Sequence, residues 1–215
     1  MPSRRILLPL LAAGLCVSAC GAPSGEGDGS GSDAGRGRDA TTVDGTSTSA
    51  AAGGCTDEVD NAAAPASHVE SGTDMSYTGV PPVSGAHWLQ YPDISKTVYP
   101  ADERPPLGQL VHSQEHGWTM VWYDDSIASD GPAMAGLTDV ATEVAAANPV
   151  KVVFVPWTSL DGDAFPGGAH LAITHWDARG DGIEYRQFCA APNADAVLGF
   201  SMRHPSTDSS EPDAP

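Results

Sequence analysis

Apolar positions follow three spacings in the second half of this chain, and each spacing predicts an element. Leu137, Val140, Ala141, Val144 and Ala147 recur at three- and four-residue intervals between Asp130-Gly131-Pro132 and Asn148-Pro149, which predicts an amphipathic helix with a clear start and stop. Trp118-Thr119-Met120-Val121-Trp122-Tyr123 and Val150-Lys151-Val152-Val153-Phe154-Val155 are nearly unbroken runs of β-forming side chains, as expected of strands buried on both faces. Ala169, Leu171 and Ile173 alternate ahead of His175-Trp176, and Gly180-Asp181-Gly182 then makes a turn. The order strand, helix, strand and then a hairpin predicts an α/β (α+β) fold: a single domain with a small mixed β-sheet and packed helices. The first half has no such period. Residues 78–108 hold Pro81-Pro82, Pro92, Pro100 and Pro105-Pro106, which predicts an ordered, proline-rich N-terminal wrap laid over the sheet.

The ends follow a different grammar. Arg4 and Arg5 precede the apolar run Ile6 to Val17, which is shorter than the roughly 18 to 20 residues that span a bilayer and suits a cleaved export signal over residues 1–20. Val17-Ser18-Ala19-Cys20 resembles the bacterial lipobox, which makes Cys20 the expected lipidation site and the membrane the expected partner, on the extracytoplasmic face. Ser3-Arg4-Arg5-Ile6-Leu7 loosely resembles a twin-arginine signal. Residues 21–54 are nearly all Gly, Ser, Ala, Thr, Asp and Arg and have too little to bury to offset the entropy of ordering. They read as a tether, about 30 to 35 Å end to end for a Gly-rich coil. Residues 205–215 lack a large apolar side chain and are expected to be a frayed tail. The globular domain is then residues 55–204, which carry all five Trp, five Tyr and four Phe of the chain.

Charge narrows the partners. The chain has 28 acidic against 10 basic residues, a formal net charge of -18, and such a field repels phosphate backbones, so nucleic acid is not expected as a partner. No particular protein partner is legible. Once Cys16 leaves with the signal and Cys20 takes lipid, only Cys55 and Cys189 remain, and an exported pair predicts a disulfide.

Histidine supplies the candidate chemistry. His112-Ser113-Gln114-Glu115-His116-Gly117 places two imidazoles and a carboxylate in six residues, and Pro81-Pro82-Val83-Ser84-Gly85-Ala86-His87 delivers a third imidazole on a turn stiffened by proline and opened by glycine. These two segments, with Val98-Tyr99 between them and Val121-Trp122-Tyr123 after, resemble the bacterial family called domain of unknown function 3105. Its pattern, roughly Pro-Pro-x-Ser-Gly-x-His and then Val-His-Ser-x-Glu-His-Gly before an apolar strand, is matched at every polar position over about residues 69–188. The resemblance implies a membrane-bound or exported bacterial protein with no established activity. His175 departs from it, since members more often carry a small residue before the tryptophan.

Three uses of the histidines follow. As a helix, His-x-x-Glu-His would be the inverted zinc-peptidase motif with Glu115 as general base and a distant third ligand such as Glu184, but Gly108, Gly117 and the strand formers that follow argue against a regular helix. As an extended segment, the period of two puts His112, Gln114 and His116 on one face and Glu115 on the other. His87, His112 and His116 would then bind a transition metal without catalysis, with His68 or Glu115 as a fourth ligand; zinc or copper would suit, and Met75 or Met120 nearby would favour copper(I). The competing reading is a scaffold or interaction module in which Ser84, His87, Glu115 and His116 form a buried hydrogen-bond network, and a metal-dependent hydrolase stands third. Whether the chain is an enzyme is left open, with binding preferred. His170 and His175 read as separate surface or core residues, Asp124-Asp125 and Asp161-Gly162-Asp163 as solvated turns, and Ser113 lacks a nucleophile elbow.

Overall fold

The computed structural model of the protein describes residues 54–147 and 151–215. The expected signal segment, Cys20 and nearly all of the tether lie outside the described residues. In chain order the elements are β1 (Val59–Ala62), β2 (Ser67–Val69), β3 (Ala86–Trp88), α1 (Leu107–Glu115), β4 (Thr119–Tyr123), α2 (Asp125–Ala128), α3 (Gly131–Ala147), β5 (Val152–Pro156), β6 (Leu171–Asp177), β7 (Ile183–Cys189) and α4 (Ala194–Arg203). Short 3-10 turns lie at Pro166–Gly168 and Ser206–Asp208.

Five strands form one mixed sheet in the order β1-β7-β6-β4-β5, parallel only between β4 and β5, which α3 connects. The apolar runs are continuous because both faces of the central strands are covered. From β4, β5 and β6, Val121, Tyr123, Phe154, Leu171 and Ile173 pack with Leu137, Ala141 and Val144 of α3 and with Val197 and Phe200 of α4. The alternate residues Met120, Trp122, Val153, Val155 and Ala172 pack with Leu110 of α1 and with Tyr99, Trp157 and Phe165. Burying each large side chain contributes about 1.5 to 3 kcal/mol, so this two-sided core is what holds the layers together. The predicted helix and the three predicted strands are all present. Helix α4, which periodicity did not reveal, starts at Asn193, whose side chain accepts from the Ala196 N–H.

The proline-rich segment is an ordered wrap, as expected, and polar groups tie it down. Tyr99 N–H donates to Phe154 O, and Phe154 N–H donates back to Thr97 O, which adds a bridge beside β5. Arg104 forks onto Asp161 at 2.9 and 2.7 Å. Gln114 donates to Pro82 O at 3.0 Å. Within the wrap, β3 pairs in parallel with the preceding β2, and their register sets His68 opposite His87.

Two expectations need correction. The His112 segment is helical: α1 begins after Pro106, which lacks the N–H that a helix start leaves unpaired, and Gly117 only ends it. Gly108 therefore sits in the first turn of a nine-residue helix, and Gly117 follows its end. Residues 205–215 pack against the domain instead of fraying. Ser209 is buried and donates from Oγ to Glu115 O; Ala178 N–H donates to Asp208 O; Lys151 Nζ donates to His116 O, Pro212 O and Ala214 O. The approach is so close that a Cβ on Gly117, whose φ is +83°, would lie 2.2 Å from Ser206 O. Cys55 and Cys189 are disulfide-bonded, 134 residues apart in sequence. Among the described residues no helix is long and apolar enough to cross a membrane.

Candidate metal centre

His68, His87, His112 and Glu115 converge, each offering one ligand atom, with all four atoms within 4.8 Å of one another. The convergence has a local cause on each element. The parallel register of β2 and β3 stacks His68 beside His87, since neighbouring strands lie about 4.8 Å apart. On α1, positions i and i+3 share a face, so His112 and Glu115 point the same way. The three imidazole centroids form a near-equilateral triangle with sides of 4.7, 4.8 and 4.7 Å. Trp176 packs edge-on to His87 at 5.9 Å.

The separations match a coordination shell. His87 Nε2 lies 3.0 Å from Glu115 Oε2, His68 Nε2 3.3 Å from His112 Nε2, and Glu115 Oε2 3.7 and 3.9 Å from the Nε2 atoms of His68 and His112. A tetrahedral zinc site with bonds of 2.0 to 2.1 Å has ligand-to-ligand edges of about 3.3 to 3.4 Å. No separation exceeds 4.8 Å, so shortening the longer ones by at most about 1.4 Å would close the shell.

Tautomers sharpen the point. His87 Nδ1 donates to Gly85 O at 2.8 Å and His112 Nδ1 donates to Trp88 O at 2.7 Å. A carbonyl can only accept, so each Nδ1 carries the proton and, in the neutral ring, each Nε2 aims a lone pair at the centre. Backbone carbonyls on the outer nitrogen are the usual support of metal-bound histidine. His87 Nε2 and Glu115 Oε2 lie 3.0 Å apart, and both atoms are buried with no hydrogen bond assigned to them. Burial, then the neighbouring His87 and His116 rings, push His112 down to about 4, so it stays neutral at pH 7. Burial pushes the Glu115 carboxyl up, but His87, then His68 and His112, outweigh it and hold the carboxyl below the usual carboxylate value. A carboxylate facing the Nε2 atoms of several imidazoles is an arrangement that a cation stabilises.

Several site expectations change here. His116 is outside the cluster: its ring packs on His112 at 4.5 Å, its Nδ1 donates to Pro215 O, and its Nε2 faces Glu211 at 3.5 Å. The reason is helical, because His116 is the C-cap residue and its ring turns toward the tail. Glu115 belongs to the inner set and Gln114 to the opposite side, where it also accepts from Thr174 Oγ1. Ser84 is not joined to Glu115; its hydroxyl donates to Glu184 and accepts from Ala64 N–H. Glu184 pairs with Arg186. Met120 is spent in the core with Leu110 and Trp122, and Met75 lines a separate cleft with Tyr77 and Trp157. Ser113 Oγ bonds back to Gln109 O. Tyr91, which sequence reasoning missed, lays its ring against His112 and His116 at 5.5 and 5.1 Å; nothing in its sequence context marks it.

His170 is half-exposed and bonded to Asp124. His175 is fully buried in β6, and burial, followed by His204, pushes it down to about 3 from an ordinary 6.5. The unfolded chain thus takes up its proton first, and stability is complete above about pH 6.5 and declines as pH falls toward 3. At about 1.4 kcal/mol per pH unit, lowering pH from 6.5 to 4.5 costs about 2 to 3 kcal/mol through this residue alone. Urea unfolding of wild type and His175→Leu at both pH values measures it; equal losses in the two proteins reject the assignment.

A mixed sheet with helices on both faces defines the class, an α+β domain, and His68, His87, His112 and Glu115 converge beside it as a group that could hold a cation. The chain belongs to the family described as protein of unknown function (DUF3105), which it matches over residues 68–200, a span that contains all four cluster residues. Neither a curated protein nor a solved structure matches it.

Proposed function

We propose that this chain is a lipid-anchored extracytoplasmic protein whose domain binds one zinc ion, without catalysis, through His68, His87, His112 and Glu115. The observation that carries the reading is the pair of carbonyl-locked imidazoles aiming Nε2 at a carboxylate, with buried His87 Nε2 and Glu115 Oε2 left unpartnered. Three nitrogens and one oxygen suit zinc better than copper(I), which prefers sulfur. Glu115 as a ligand fills the fourth position, which favours a closed binding site over the three-ligand, open arrangement of zinc hydrolases. The last turn of α1 adds the partial negative charge of a helix C-terminus, which also favours a cation. A hydrogen-bond network of Ser84, His87, Glu115 and His116 fits less well, because Ser84 is bonded to Glu184 and His116 to Pro215. The lipobox-like Val17-Ser18-Ala19-Cys20 supports the anchor.

One experiment tests both halves. The full chain is expressed in a bacterium, membranes are extracted with detergent, and the purified protein is loaded with zinc, dialysed and analysed for metal. We expect the chain in the detergent extract with about one equivalent of zinc. Less than about a tenth of an equivalent rejects the metal site, and a chain found wholly in the soluble fraction rejects the anchor.

A further inference from the structure

The four donors are not equivalent. The side chains of His87, His112 and Glu115 are 0%, 5% and 10% exposed, whereas that of His68 is 42% exposed. His87 and His112 are each locked by an Nδ1–H bond to a backbone carbonyl, and Glu115 is fixed in a helix whose end the tail grips through Ser209. Among the described residues, the polar and ring contacts of His68 all lie within the cluster: Nε2 is 3.3 Å from His112 and 3.7 Å from Glu115, and the ring stands edge-on to His87 and His112. Its strand, β2, has three residues, pairs only with β3, and lies between exposed segments. Three rigid donors thus form a buried cup, and the fourth sits on a short, solvent-facing arm.

We propose that His68 is the exchangeable ligand: zinc enters and leaves past it, and its coordination position is where an external nitrogen donor binds the ion. This rests on the zinc reading above. The exchange is a substitution of lone pairs. His68 Nε2 withdraws its pair from the ion, a donor such as an imidazole supplies another, and neither a proton nor an electron is transferred to the metal. The site is therefore suited to passing a zinc ion to or from a nitrogen-bearing acceptor, with the buried three-donor cup retaining the ion while the fourth position changes hands.

Imidazole serves as the probe, because it can occupy the place of a deleted histidine only where that place opens to solvent. The zinc-loaded full chain, His68→Ala and His87→Ala are each mixed with excess EDTA, with and without imidazole, and zinc release is followed in time. His68→Ala should still load about one equivalent, release it at least about ten-fold faster than wild type, and return toward the wild-type rate with imidazole. His87→Ala, whose vacated place is buried, should not be rescued. His68→Gln should behave like His68→Ala. Release from His68→Ala at the wild-type rate, failure of imidazole to slow it, or equal rescue of His87→Ala overturns the exchangeable role while leaving the zinc site standing, provided that wild type binds zinc. A wild type that holds no zinc overturns both.

Discussion

Zinc affinity falls by at least about 100-fold when His87 is replaced by alanine, and the same change at His116 leaves it within about three-fold. The size of the first effect follows from the total: a structural zinc site is worth about 10 to 16 kcal/mol, so one of four ligands carries roughly 2.5 to 4 kcal/mol, on the order of a hundred- to a thousand-fold in affinity. The contrast follows from geometry. His87 is fully buried with Nε2 in the cluster, whereas His116 spends both nitrogens on the tail. Competition against a chromophoric chelator measures both constants, and circular dichroism checks that each variant is folded. Equal losses at the two positions would restore the ligand set expected from the sequence and remove the one derived from the structure. An unchanged affinity in His87→Ala would remove the site.

The double replacement Cys55→Ala and Cys189→Ala lowers the free energy of unfolding by about 5 kcal/mol. The bond closes a loop across a sequence separation of 134 residues, and the chain-entropy relation gives about 5 kcal/mol for a loop of that length. Both cysteines are buried in the core beside Val197 and Phe200, so alanine is the appropriate replacement; serine would add a buried hydroxyl needing a partner. Urea titration under oxidising conditions gives the difference directly. A loss under about 1 kcal/mol would mean that residual structure in the unfolded chain already confines these ends.

The central sheet was legible because its signals are local. Val121, Phe154 and Ile173 sit in runs of strand length, and Leu137, Ala141 and Val144 show one face of a helix within eight residues. Helix α1 is hard to read because nine residues give little room for a period, and a glycine in its first turn or just past its end looks like one that forbids a helix. That one misassignment carried through to the site: an extended segment puts Glu115 opposite His112, whereas a helix puts it alongside. His68 could be named as a candidate but not placed, since its partnership with His87 depends on the register of two three-residue strands. The tail was hidden for a different reason. Much of its attachment runs through backbone carbonyls at Asp208, Pro212, Ala214 and Pro215, which every residue possesses and which composition therefore cannot report.

The disulfide also decides how the domain carries load. Any pull arriving along the chain from residues before Gly54 reaches Cys55 before it reaches β1, whose four exposed residues form an edge strand paired only with β7. The covalent link diverts that tension into Cys189 at the end of β7, a strand flanked on both sides within the sheet. Tension on the N-terminal segment therefore passes into β7 and bypasses β1, β2 and His68, which lie downstream of the covalent link.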